Sequence, residues 1–160
     1  MNIVVLGSGG REHAICWALA RSPRCSTLYA APGNGGTAQV AENVSGLDIT
    51  DGNALVGFCR DHDIDMVVIG PEAPLVAGVA DVLRQAGVLV FGPSAQGAQL
   101  EGSKTYSKRF MLDNNIPTAA YGTINDAASA EQYVRDMGAP IVVKADGLAA
   151  GKGVIVAQTV

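Results

Sequence analysis

The sequence is poor in cysteine, in aromatic residues and in charge, and each shortage narrows what the protein does. Cys16, Cys25 and Cys59 are odd in number, lack C-x-x-C spacing and fall in or beside apolar stretches. They argue against a disulfide framework and a zinc site, and fit a reducing cytoplasm. Charged residues make up 16%, with 11 Lys and Arg against 15 Asp and Glu for a net charge of −4. No block of like charge is present, so neither nucleic acid nor an anionic membrane is an evident partner. No stretch approaches the roughly 20 apolar residues that span a bilayer. The opening MNIVVLG has no basic n-region or long apolar h-region, so neither secretion nor membrane insertion is expected.

What is abundant is apolar and small. Hydrophobic residues make up 48%, and 20 glycines in 160 residues exceed the roughly 7% of average usage. Many glycines with few aromatics suit an α/β fold with tight turns between strands and helices. This length accommodates one good core, or one complete domain and part of another.

Apolar runs at residues 3–6, 66–69 and 88–91 and a strand at 27–30 alternate with helical patterns such as Ala14, Ile15, Ala18 and Leu19. A helix is expected across Leu75, Val79, Val82, Leu83 and Ala86, capped by Gly87. This alternation predicts a doubly wound parallel sheet over residues 1–101. A second segment, 102–160, then begins with a helix opened by Ser103. A strand at 120–124, a helix started by Asp126 and two further strands follow. Strand, helix, strand, loop and strand make an incomplete domain, so the chain is expected to be part of a longer enzyme.

In an open α/β sheet, ligands bind beyond the carboxyl ends of the strands, which gives three loops most weight. The first, Gly7-Ser8-Gly9-Gly10-Arg11-Glu12-His13, offers backbone N–H groups and a helix dipole to a phosphate. It departs from the dinucleotide fingerprint at Glu12, where glycine is required, so NAD is only the alternative at this loop. Arg11, Glu12 and His13 read either as ligand contacts or as a solvated helix start. The second loop, Pro32-Gly33-Asn34-Gly35-Gly36-Thr37, carries an amide and a hydroxyl for sugar or phosphate oxygens. The third fixes Glu72 between Pro71 and Pro74, which suits acceptance of hydrogen bonds from ribose hydroxyls or an amine. His62, between Asp61 and Asp63, reads as plain surface.

The stretch 140–157, PIVVKADGLAAGKGVIVA, joins a β-branched strand ending in Lys144 to a glycine loop containing Lys152 and then a second strand. Backbone N–H groups at Gly147, Gly151 and Gly153 can approach an anion that the lysines neutralise. A Walker A loop is a poor fit: Gly147 to Gly151 is one residue too short, and Gly153 stands where the hydroxyl is needed. The remaining alternative is a glycine-rich hairpin with no ligand.

Taken together, GSGGREH, APGNGGT, GPEAPL, FGPS, GSKTYSKRFM and VKADGLAAGKGV span essentially the whole chain. In these motifs it closely resembles the phosphoribosylamine–glycine ligase (glycinamide ribonucleotide synthetase) family of the ATP-grasp superfamily. The resemblance implies a substrate domain at 1–101 and the start of an ATP-grasp domain at 102–160. It also implies ATP-dependent joining of glycine to 5-phosphoribosylamine through a glycyl phosphate. By the same resemblance Gly9, Gly10, Arg11, Asn34 and Gly35 hold the phosphoribosyl group, and Glu72 faces the ribose or its amine. Lys104, Lys144, Gly147, Gly151, Lys152 and Gly153 then serve the nucleotide. Mg2+ or Mn2+ is implied for the family with ligands beyond Val160, so the chain alone is expected to be inactive. Another ATP-grasp ligase or carboxylase, or a non-catalytic nucleotide-binding module, is the alternative.

Overall fold

The structure is a computed structural model, and it describes residues 1–149 and 152–160. The chain divides into two compact units, Met1–Ala98 and Gln99–Val160.

The first unit is built on five parallel strands: β1 (Asn2–Gly7), β2 (Thr27–Pro32), β3 (Glu42–Asn43), β4 (Met66–Ile69) and β5 (Leu89–Phe91). They lie in the order β3-β2-β1-β4-β5. β1 is central and apolar without a break because both of its faces are covered. Val4 and Leu6 point into a core with Leu55, Cys59, Val67, Ile69, Val79, Ala80 and Leu83. Ile3 and Val5 point the other way, onto Cys16, Leu28, Ala30 and Val68. Helix α1 (Gly10–Ala20) supplies Cys16 to the second face, whereas α2 (Gly52–Asp61) supplies Leu55 and Cys59 to the first. Alternate residues of one strand thus enter two cores, and the doubly wound α/β arrangement expected from the sequence is present.

One expected helix is instead two, α3 (Glu72–Val76) and α4 (Val79–Gln85). Gly78 lies between them at φ +83°, a left-handed conformation that ends the first helix and turns the chain into the second. Gly87, also at φ +83°, closes α4 as expected. β3 was not expected; two residues are too short to show a period. His62 is exposed but not plain surface: it stacks on Phe58 at 4.2 Å and meets Tyr29 edge-on at 5.3 Å.

Helix α5 (Ala95–Gly102) runs through the division between the units. The second unit contains α6 (Lys104–Asp113), α7 (Ala127–Met137) and the antiparallel pair β6 (Ile141–Lys144) and β7 (Val154–Ala157). Ser103 caps α6 by accepting the Tyr106 N–H, and Asp126 caps α7 by accepting that of Ser129, as the sequence indicated. The strand expected at 120–124 is absent: this segment joins no ladder among the described residues. Side chains hold its neighbourhood instead. Lys108 donates to Thr118 Oγ1 (2.6 Å) and Ala119 O (3.0 Å), and Tyr133 packs over Gly122. No described residue from Gln99 onward is buried.

Candidate functional site

In the first unit the strand order reverses between β1 and β4, and their following segments leave to opposite faces, which opens a crevice at the carboxyl edge. The pairing of Leu6 with Ile69 sets Gly7 and Gly70 side by side at its floor. Glu12 rises from the first turn of α1 into this floor and is only 3% exposed. A Cβ added at Gly70 would overlap its carboxylate, and one at Gly7 would stand 2.6 Å from its Cγ. Both glycines therefore make room for one side chain. The Glu12 carboxylate accepts hydrogen bonds from the Gly9 N–H (2.7 Å) and from Arg11 Nε (2.8 Å). Burial opposes its charge, but the Arg11 guanidinium and the Gly9 N–H outweigh burial and hold its carboxyl below the usual range.

Arg11 reaches onward from Glu12, and its Nη1 lies 3.4 Å from Glu72 Oε1 at the start of α3. Its side chain is 56% exposed, so the terminal nitrogens face the crevice and solvent. Gly10 opens α1 with open space beside its Cα, and the adjoining helix start suits an anion.

Asn34 ties the second loop to the first. Its amide nitrogen donates to the carbonyls of Ser8 (2.8 Å) and Gly9 (3.2 Å), while its Oδ1 accepts from the N–H groups of Gly36 and Thr37. All four hydrogen-bonding positions of that amide are used, so Asn34 shapes the crevice through the backbone. Buried Thr37 completes the junction, its hydroxyl lying 2.7 Å from Asn43 Oδ1. Gly35 stands exposed at the loop tip with open space around it. The structure thus gathers Gly9, Gly10, Arg11, Asn34, Gly35 and Glu72 along one edge of the sheet. The sequence offered Glu12 as a ligand contact or part of a solvated helix start; the structure buries it instead, and the available signal was the paired glycines at two strand ends.

The second unit holds the lysine and glycine cluster. Lys144 ends β6, exposed, and its ammonium makes no hydrogen bond or ion pair among the described residues. Lys104 Nζ donates to Gly147 O at 2.8 Å. Asp146, which sequence reasoning passed over, accepts from the Lys104 N–H (2.6 Å), the Thr105 N–H (3.3 Å) and Ser103 Oγ (3.1 Å). Although desolvation works against its charge, the N–H groups of Gly147, Thr105 and Lys104 with the Ser103 hydroxyl hold its carboxyl down at about 2. The glycine loop is thereby anchored at its first residues to the start of α6. Lys152 is exposed, its N–H bonded to Ala149 O, and Gly153 accepts the Ala145 N–H just before β7. Gly151 lies outside the described residues.

The family models place these features in a class, that of ATP-grasp proteins with a preceding α/β domain. The biotin carboxylase domain of 2-oxoglutarate carboxylase from Hydrogenobacter thermophilus matches over 99% of this chain and 38% of its own, with a TM-score of 0.75. At 16% identity that likeness concerns the fold alone. A phosphoribosylamine–glycine ligase from Thermotoga maritima matches over 99% of this chain and 36% of its own, with a TM-score of 0.76 and 34% identity.

The family narrows further. The profile described as "Phosphoribosylglycinamide synthetase, N domain" matches residues 1–101, and that described as "Phosphoribosylglycinamide synthetase, ATP-grasp (A) domain" matches residues 102–160. The chain belongs to the phosphoribosylglycinamide synthetase family, as its motifs indicated. Phosphoribosylamine–glycine ligases from Mesorhizobium japonicum and Vibrio cholerae are 60% and 55% identical over 99% of the chain. The chain spans 37% of the length of these relatives.

Proposed function

We propose that this chain serves the ATP-dependent joining of glycine to 5-phosphoribosylamine, giving glycinamide ribonucleotide, ADP and phosphate in purine biosynthesis. Residues 1–101 are the substrate domain in this reading and residues 102–160 the start of the ATP-grasp domain. The observation that carries it is the junction at the sheet's carboxyl edge, where Arg11, Asn34 and Glu72 from three loops are linked by hydrogen bonds around one helix start.

A carboxylate is a poor electrophile, and ATP supplies the phosphoryl group that turns glycine's carboxylate into an acyl phosphate. The amine of 5-phosphoribosylamine attacks the acyl carbon, a C–N bond forms, and phosphate leaves with the electrons of the broken C–O bond and takes up the proton that the amine gives up. In the substrate domain the Gly9–Gly10 turn lines the phosphate's approach with the Gly10 N–H, the Gly9 N–H being held by Glu12, and the Arg11 guanidinium pairs with the phosphate. Asn34 and Gly35 shape the wall, and Glu72 accepts from a ribose hydroxyl or orients the amine. Lys104, Lys144 and Lys152 neutralise nucleotide phosphates, while Gly147, Gly151 and Gly153 let the backbone close over them and exclude water. Three cationic side chains and a glycine loop fit a polyphosphate. For Mg2+ or Mn2+ no group of three or more His, Cys, Asp or Glu lies together among the described residues, so no step is assigned to a metal ion. We place the reaction in the cytoplasm, which three free cysteines support.

The test is product formation. With ATP, magnesium, glycine and 5-phosphoribosylamine, the 160-residue chain alone is expected to make no glycinamide ribonucleotide. An enzyme of the relatives' length carrying this segment is expected to make it, with ADP release dependent on both substrates. In that enzyme Lys144→Ala raises KM for ATP at least tenfold. ADP release driven by bicarbonate instead would replace this reading with a carboxylase.

A further inference from the structure

The first-turn helix residue Glu12 does more than cap. Asp51, Ser103 and Asp126 cap their helices from unburied positions, which shows that capping in this chain does not call for burial. Glu12 is the only charged side chain buried among the described residues. A buried carboxylate is costly unless each oxygen is matched, and here one oxygen faces the Gly9 N–H and the other Arg11 Nε. Capping alone does not require the second contact.

We propose that Glu12 is a positioning residue of the anion site, holding Arg11 by its Nε so that the terminal guanidinium nitrogens stay aimed at a sugar phosphate in the crevice. This rests on the phosphoribosyl reading above. Of the five guanidinium donors, Glu12 takes only the Nε–H, and the Glu72 contact is long at 3.4 Å, which leaves donors for a ligand. Each carboxylate oxygen already accepts a bond, and the adjoining guanidinium offsets its negative charge. Gly7 and Gly70 leave the room in the crevice floor that Glu12 fills.

Glu12→Gln keeps the shape but cannot accept from both donors, because one of its arms is itself a donor. The probe is ribose 5-phosphate, titrated into the 160-residue chain with the urea midpoint measured alongside. Arg11→Ala and Glu12→Gln are each expected to weaken binding at least tenfold. Because Glu12 acts through Arg11, Glu12→Gln in the Arg11→Ala background should weaken it by less than a further twofold. A purely structural role would shift the urea midpoint and weaken binding equally in both backgrounds, and that result overturns the proposal. Wild-type binding with unchanged affinity in Glu12→Gln also overturns it while sparing the phosphoribosyl reading. No binding by the wild-type chain sinks both. If Glu12→Gln does not fold, the wild type decides: Arg11 Nε–H should exchange with solvent at least tenfold more slowly than that of Arg60, and equal rates overturn the assignment.

Discussion

Single side chains in the crevice carry more constraint than their types suggest. Gly70 is one example: an added methyl has no room beside Glu12, and over-packing of this kind costs about 1–3 kcal/mol. Gly70→Ala should therefore lower stability by that amount and weaken ribose 5-phosphate binding, measured by urea unfolding and titration. Asp146 makes a pH prediction in the other unit. Its folded carboxyl sits at about 2, below the ordinary aspartate value near 3.9. The stabilisation is therefore present above about pH 4 and lost as pH falls through about 2. Amide hydrogen exchange at Lys104 and Thr105, compared at pH 5 and pH 2 after correction for intrinsic rates, should lose protection at the lower pH. Asp146→Asn should remove that dependence.

Elements differ in how far their own sequence specifies them. β1 was legible because its residues are apolar on both faces, and α6 and α7 because Ser103 and Asp126 mark their starts. The break between α3 and α4 was not, since the apolar spacing continues across it and only the φ of Gly78 interrupts the helix. Gly78→Ala should destabilise the first unit by roughly 1 kcal/mol, because a side chain is strained at that positive φ; an unchanged urea midpoint would count against the strain. The β6–β7 pair is a two-stranded ribbon with Val142, Val143, Val154, Ile155 and Val156 exposed, and such a pair is marginal by itself. Its backbone amides should exchange at least a hundredfold faster than those of β1 and β4.

Taken whole, the chain joins a unit with two buried cores to one in which no described residue is buried. Limited trypsin digestion should first cut at Lys104, Lys108 or Arg109 and leave a resistant amino-terminal fragment; early cutting at Arg11 or Arg21 would contradict this. The parallel sheet, its loops at the carboxyl edge and the lysine and glycine cluster were all readable in advance, because strand period, helix caps and turn residues are local signals. The family, too, could be read from motifs contiguous in sequence. What local signals could not show is the environment of Glu12. Gly7 and Gly70 meet only because β1 and β4 pair in parallel, and Asn34 reaches Ser8 only because β2 lies on the other side of β1. The sequence by itself determined which residue types stand at the strand ends. Only the tertiary structure decided which of them open onto the crevice and which hold the others in place, since burial and hydrogen-bond partners depend on strands that are distant in sequence and adjacent in space.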